Sequence, residues 1–347
     1  MKIVIITDSH LGVRNGSSIF LKYQLDRWEE LFSYMKSNGI KTLLHGGDFF
    51  DNRNFLTMQT LSAARDFSTK LASHGIDMFM IVGNHDVAYK NDNTINSPEF
   101  ILQSKVIWEH PETITFDGCK IDMIPWINKN NSYEISEFIR NSTSEVCLGH
   151  FEIKGASFQK GGVICKNGIS HDIFSKYKKV MSGHFHTRSK VGCVEYIGAA
   201  FDYTWADWND PRGYVVFDTE TLCSEHIDWK DFMFVMGEVE DNGKVEYVPK
   251  CDNVSGKFVR LVCHVNTPLV DETIKKIESE GPAELKIFFN DIVKIDKITV
   301  NLTDIDSTDT IMKRVIQENI EDECLQMKVH EYLKNIHNMV LTKRGMV

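Results

Sequence analysis

Residues 2–10, K-I-V-I-I-T-D-S-H, form an apolar run that stops abruptly at small residues carrying an acid and an imidazole. The same pattern recurs at KTLLHGGDFFD (41–51), DMFMIVGNHD (77–86), EVCLGH (145–150) and YKKVMSGHFH (177–186). Near-continuous apolar runs of this length suit strands covered on both faces. Between the first three lie segments with helical spacing: Leu25, Trp28, Leu31, Phe32 and Met35, then Leu61, Ala64, Phe67, Ser68 and Leu71. Strands alternating with helices predict a layered α/β core. In such cores functional residues gather in loops beyond the carboxyl ends of strands. All five polar clusters fall there.

The chain has 347 residues, 42% hydrophobic and 25% charged, which is a globular composition long enough for two or three domains. A net charge of −10 argues mildly against a nucleic-acid binder, because phosphate favours basic surfaces. A local basic strip or a metal-filled acidic cleft remains compatible with it. None of the eight cysteines forms a C-x-x-C pair and several sit inside apolar runs, so they read as reduced thiols rather than a disulfide frame. The N-terminal apolar stretch is too short for a signal peptide or a span, and no later run reaches membrane length. A soluble, cytoplasmic protein with no membrane association is expected.

From about 191 to 228 the texture becomes antiparallel: CVEYIGA, GYVVFDTET, TLCSEHID. The polar stretch DNGKVEYVPKCDNVSGK, after DWKDFMF (228–234), reads as a boundary region. A small unit follows, with strand 257–265, helix 271–280, strand 284–290 and strand 297–303. Beyond Ser307 two amphipathic helices are expected, one with Ile311, Met312, Val315, Ile316 and Ile320, the other with Leu325, Val329, Tyr332, Leu333, Ile336 and Val340. The divisions are 1–232, 233–305 and 306–347.

Taken singly, each polar cluster has a bland reading. Asp8 and His10 fit a turn after a strand, and Asp48 and Asp51 fit a loop of solvated acids. Gly83-Asn84-His85-Asp86 is more specific, because three side chains with ligand or acid–base character follow a backbone-permissive glycine. His184 and His186 flank Phe185, so in extended chain both imidazoles point one way. Two neutral imidazoles side by side make a poor core and a good pair of metal ligands. Five such clusters, in order and all at strand ends, are not explained by turns alone.

In this order D-x-H, G-D-x-x-D, G-N-H-D, G-H and G-H-x-H resemble the signature of calcineurin-like metallophosphoesterases. D-S-H-L-G, G-G-D-F-F-D-N-R and a small unit after the core resemble, within it, the SbcD/Mre nuclease family. The resemblance covers roughly residues 1–230, with the remainder alike only in layout. It implies a four-layer α/β/β/α sandwich with a small α+β cap and a helical tail. It further implies two Mn²⁺ ions (Mg²⁺, Fe²⁺ or Zn²⁺ as other occupants). One would be held by Asp8, His10, Asp48 and His186, the other by Asp48, Asn84, His150 and His184, with Asp48 shared. Mixed carboxylate, amide and imidazole donors suit Mn²⁺ independently, and two ions about 4 Å apart clamp an in-line displacement at phosphorus.

His85 has no ion to bind in this scheme and is assigned to the leaving 3′ oxygen, with Asp86 orienting its ring. Asp51 stands where some members carry His, and Gly198-Ala199-Ala200 replaces the usual Gly-Ser-Pro. His45, His110, His171, His226 and His264 match no motif. The activity implied is DNA phosphodiester hydrolysis, exonucleolytic on duplex ends and endonucleolytic on single strands, in DNA end processing. Partners implied are DNA, an SbcC-type SMC-like ATPase on the C-terminal helices, and a second copy through helices near 57–73 and 97–104. A phosphomonoesterase and a non-catalytic DNA scaffold are the alternatives; Asn52 standing before Arg53, with no glycine after it, departs from the G-D-x-x-D-R-G of protein phosphatases. For DNA contact the candidates are Arg14 and Arg53 beyond the first two metal loops, and the basic cluster of Lys176, Lys178, Lys179, Arg188 and Lys190.

Overall fold

The computed structural model describes residues 1–102, 106–157, 162–240, 242–264 and 267–289, with Gln326 and His330 as isolated helical positions. The chain forms two compact units, residues 1–291 and 292–347. The strand expected over 297–303 and the tail helices lie outside the described residues, apart from those two positions. No helix among the described residues is long and apolar enough to cross a membrane.

The apolar runs become the inner strands of two six-stranded sheets. In the first, the order is Ser224–Asp228, Gly213–Asp218, Lys2–Ile6, Thr42–His45, Asp77–Ile81, Val106–Trp108, and the last four run parallel. In the second it is Ser189–Val191, Val194–Tyr196, Lys179–Gly183, Val146–His150, Cys119–Ile124, Glu112–Phe116, with the middle four parallel. Alternation sorts each strand's side chains into two layers. Ile3, Ile5, Leu44 and Ile81 meet Ile121, Val146, Leu148 and Met181 of the other sheet. Val4, Ile6, Leu43 and Met80 face outward, under Trp28, Leu31 and Phe32 of helix Ser18–Ser37 and Ala64, Phe67 and Leu71 of helix Met58–Ser73. On the far side Cys147, Val180 and Val194 are covered by Phe151, Phe174 and the Ile135 and Ile139 face of helix Ser132–Asn141. The expected α/β/β/α sandwich is observed. At about 1.5–3 kcal/mol for each fully buried aliphatic side chain, these three layers of contact make the frame that holds the strand ends rigid.

Two expectations need correction. CVEYIGA is antiparallel on one side only: Val194–Tyr196 pairs antiparallel with Ser189–Val191 and parallel with Lys179–Gly183, while GYVVFDTET and TLCSEHID form a separate antiparallel hairpin in the other sheet. The stretch read as a boundary region is not a linker either. It supplies strand Val245–Val248, which pairs with Phe234–Val239 in a four-stranded sheet completed by Phe258–Cys263 and Glu284–Phe289. Helix Pro268–Ser279, capped by the Thr267 hydroxyl accepting from the Val270 amide, lays Val270, Ile274 and Ile277 on that sheet. Phe234 and Phe258 reach back to Phe20, with the Arg14 guanidinium 4.9–5.7 Å from all three ring centres, so the small sheet and the sandwich share one apolar joint.

Candidate metal centre

The five polar clusters meet at the carboxyl edges of both sheets. Asp8 and His10 follow the first strand, Asp48 the second, Asn84 and His85 the third; His150 ends a strand of the other sheet, and His184 and His186 follow its neighbour. Asp8, His10, Asp48 and His184 all have positive φ, between 42° and 90°. Left-handed backbone at non-glycine residues costs of the order of 1–3 kcal/mol and persists only where the surroundings over-determine it. Here the loops are stitched to each other: Asp8 N–H donates to the Gly47 carbonyl (3.0 Å), His10 N–H to the Asp48 carbonyl (3.1 Å) and Leu11 N–H to the Phe49 carbonyl (2.7 Å). Glycine is required where they touch. A Cβ on Gly83 would stand 2.2 Å from Asp48 Oδ1, and one on Gly183 2.0 Å from Thr7 Oγ1.

Two clusters of donor atoms result. In one, Asp8, His10 and His186 bring ligand atoms within 4.8 Å of one another, with His10 Nε2 facing His186 Nε2 at 3.1 Å. In the other, Asp48, His150 and His184 converge, with His150 Nε2 3.3 Å from Asp48 Oδ2 and 3.0 Å from Asn84 Oδ1, and His184 Nδ1 2.9 Å from the same Asn84 oxygen. Asp48 Oδ1 accepts the His85 backbone N–H at 2.7 Å. His150 Nδ1–H donates to the Gly46 carbonyl at 2.8 Å, which leaves Nε2 as the ring nitrogen that faces the cluster.

The electrostatics suit a cation. Burial, with His186 adding to it, holds His10 well below the ordinary imidazole value, and burial brings His184 down to about 3, so both keep a lone pair at neutral pH. Against the cost of burial, the charge of Asp48 lifts His150 to about 9, and the charge of His150 holds Asp48 far below the usual carboxylate range. Lone pairs on oxygen and nitrogen thus point inward with one buried ion pair among them. A divalent cation fits such a donor set and would displace the His150 proton.

The structure brings together Asp8, His10, Asp48, Asn84, His85, His150, His184 and His186, and His45, His110, His171, His226 and His264 join neither cluster among the described residues. Asp86 does not orient His85. Its carboxylate accepts the backbone N–H groups of Asp48 (2.8 Å), Phe49 (2.9 Å), Phe50 (3.1 Å) and Gly83 (2.9 Å), tying the second metal loop to the third. The His85 ring is fixed instead by Nδ1–H donating to the Asp51 carbonyl at 2.6 Å.

Four of the five members of the basic cluster are paired within the chain. Lys178 and Lys179 open the strand that His184 follows, so they stand at its opposite end, on the order of 13 Å from the metal loops. Lys178 pairs with Glu145 (2.5 Å), Lys179 with Glu195 (2.6 Å) and Ser224 (2.7 Å), Arg188 with Asp228, and Lys176 with carbonyls ending helix Ser132–Asn141. Arg14 gives Nε and Nη2 of its guanidinium to the Tyr203 carbonyl (3.2 and 3.1 Å) beside the aromatic joint, while the residue stays exposed. Arg53 is half-buried on the loop after Asp48.

Other residues matter that the motifs did not single out. The Tyr203 hydroxyl donates to the Asp8 carbonyl at 2.5 Å, and its ring lies edge-on 5.3 Å from His10. Buried Arg212 holds the His186 carbonyl between Asp207 and Asp210. Trp126 walls the second cluster, 5.2 Å from the His184 ring. Tyr203 and Arg212 lie just beyond the Gly198-Ala199-Ala200 departure, whose Ala199 and Ala200 amides pair with the His186 and Thr7 carbonyls (2.9 and 3.0 Å).

Residues 1–188 match the family model described as calcineurin-like phosphoesterase. The chain is 34% identical to Exonuclease subunit 1 of Enterobacteria phage T4 over 347 positions, covering 99% of this chain and 95% of that one. It is 21% identical to the SbcD component of the SbcCD nuclease of Staphylococcus epidermidis, covering 99% of this chain and all of the other. The layout of motifs, small cap and short tail points to a T-even phage relative, and the first of these matches bears that out. With more than half of its length on the family model, and a relative alike from end to end, this chain belongs to the calcineurin-like phosphoesterase family and is a metal-dependent phosphoesterase.

Proposed function

We propose that the chain is a DNA nuclease: an Mn²⁺-dependent exonuclease on duplex ends and endonuclease on single strands, working by a two-metal mechanism. The observation that carries this reading is the pair of donor clusters sharing one loop, with His85 beside them and outside both ligand sets. Full-length likeness to a phage exonuclease subunit favours a diester over a monoester substrate. Asp8, His10, Asp48 and His186 would hold one ion, and Asp48, Asn84, His150 and His184 the other. When bound, the ions supply Lewis-acid neutralisation of phosphoryl oxygens and a nucleophile drawn from water.

The chain's own residues do the rest. Asp86 keeps the Asp48 and Gly83 loops in fixed register. His85, with its proton fixed on Nδ1 by the Asp51 carbonyl, presents Nε2 to a cavity of about 260 Å³ lined by His10, Asp51, His186 and Tyr203. As imidazolium it donates the Nε2 proton to the leaving 3′ oxygen, a contribution of roughly 10²–10⁴-fold. Trp126 limits water access on the other flank.

Two relatives that are components of nuclease complexes by name support a partner. We assign it as an SMC-like ATPase bound through residues 306–347, in recombination and repair in the (host) cytoplasm. Residues 233–305 serve as the DNA-facing cap. Phe55, Met58 and Phe100 stand exposed on and beside helices Met58–Ser73 and Ser97–Ile101, which touch, and this supports homodimerisation there. The test is hydrolysis of bis(p-nitrophenyl) phosphate against the monoester, with Mn²⁺, by wild type and His85→Ala. Diester turnover lost in the variant at unchanged metal content supports the reading; turnover of the monoester alone overturns it.

A further inference from the structure

We propose that Asp51 is a positioning residue that orients two site histidines at once, His10 through its carboxylate and His85 through its backbone carbonyl. The proposal rests on the two-metal reading of the site. The loops make the placement unavoidable. His10 N–H and Leu11 N–H donate to the carbonyls of Asp48 and Phe49, and Asp51 N–H returns a bond to the Leu11 carbonyl at 3.2 Å, so residues 48–51 run alongside 8–11. That pairing sets residue 51 within reach of both the His10 and the His85 rings, which meet edge-on with centres 4.9 Å apart.

The two ring nitrogens of His10 have different surroundings. Nε2 faces His186 and the Asp8 side of the site. Nδ1 is buried without a hydrogen-bond partner, and the acidic atom in its reach is Asp51 Oδ1 at 3.8 Å. An imidazole that gives one nitrogen to a metal carries its proton on the other, and that N–H is where a carboxylate stabilises ring orientation and ligand basicity. At 3.8 Å the contact is electrostatic rather than a hydrogen bond. The Asp51 carboxylate has no hydrogen bond to another described residue, so it is available for this role. Its backbone oxygen is already committed to His85 Nδ1–H at 2.6 Å.

A third cation among His10, Asp51 and His85 is the competing idea, since their ligand atoms also lie within 4.8 Å. A neutral imidazole has one lone pair. His10 cannot ligate at Nε2 and at Nδ1 together, so the third-ion arrangement would take His10 from the first cluster.

The experiment uses full-length wild type, Asp51→Asn and Asp51→Ala. Mn²⁺ binding is titrated for stoichiometry and affinity, and the histidine ring nitrogens are followed by long-range ¹H–¹⁵N correlation in the metal-free protein. Expected are two ions in every variant and affinity lowered roughly tenfold to 100-fold in Asp51→Ala, less in Asp51→Asn. The His10 tautomer signature changes, while that of His85, held by backbone, and the metal-free melting temperature do not. Wild-type affinity with an unchanged His10 spectrum would overturn the proposal, as would a fall from three bound ions to two. If wild type itself binds no Mn²⁺, the two-metal reading fails, and the His10 spectrum alone then decides for or against Asp51.

Discussion

Replacing Gly83 by alanine sets a methyl group against the carboxylate of Asp48, which stands with His150 and His184 in the second donor cluster. Its Cβ would stand 2.2 Å from Asp48 Oδ1, 2.4 Å from the Asp48 amide nitrogen and 2.8 Å from the carboxyl carbon. Gly83 is not among the positive-φ residues, so the penalty is overlap and not backbone strain. Asp48 has little room to yield. Its Oδ1 accepts the His85 amide at 2.7 Å and its own amide is held by Asp86 at 2.8 Å. Relief requires the two loops to part by about 1 Å, a misplacement that costs roughly 100-fold in rate. Disturbing the support of a ligand costs roughly tenfold to 100-fold in metal affinity, and overpacking costs about 1–3 kcal/mol of stability. Calorimetric Mn²⁺ titration, with diester hydrolysis at saturating metal, reads both effects against Ser73→Ala at an exposed helix end. Gly83→Ala with wild-type affinity and rate would show that the loops absorb the methyl group and that their close approach is not what places Asp48.

Tyr203→Phe keeps the ring beside His10 and deletes the hydroxyl that donates to the buried Asp8 carbonyl at 2.5 Å. Leaving that acceptor unpaired destabilises the metal-free protein by about 1–3 kcal/mol, read as a lower urea midpoint; an unchanged midpoint refutes it. Glu195 is held down to about 2, against an ordinary 4.5, by hydrogen bonds from His226 and then Lys179. A depressed carboxyl contributes stability that is fully present above the ordinary value and is lost as pH falls toward the folded one. Glu195→Gln is therefore expected to cost on the order of 1–3 kcal/mol at pH 7, with the gap to wild type closing below about pH 4.5. A gap that stays constant on acidification, measured by denaturant unfolding, counts against it.

The strand ends were legible because the signal is local: an apolar run that ends in small residues, with Asp, Asn or His within a few positions. Each ligand of both clusters sits in such a segment, and the two-sheet frame explains why segments as distant as Asp8 and His184 meet, the His184 amide donating to the Asp8 carboxylate at 3.1 Å. What escaped depends on partners that no local pattern names. Lys179 looks basic in sequence and is ion-paired by Glu195 on the neighbouring strand, with a further hydrogen bond to Ser224 of the other sheet. Asp86 follows His85 directly, yet its carboxylate turns away to the amides of another loop. Val245–Val248 is short and embedded in polar residues, so its alternation was outweighed by the turn-forming Asn242-Gly243 beside it. Arg14, placed beyond a metal loop, is drawn into the aromatic joint by Phe234 and Phe258, more than 200 positions away.

The most direct test is Mn²⁺-dependent degradation of a 3′-labelled DNA duplex by wild type and Asp48→Asn, each with and without chelator and with and without the ATPase partner. Asp48 stands with His150 and His184 in one cluster and is the carboxylate that the proposed reading shares between both ions, so the expected result is cutting by wild type in Mn²⁺ only and none by the folded variant. A wild type that never cuts, or an Asp48→Asn protein that cuts as well as wild type, would contradict a two-metal nuclease.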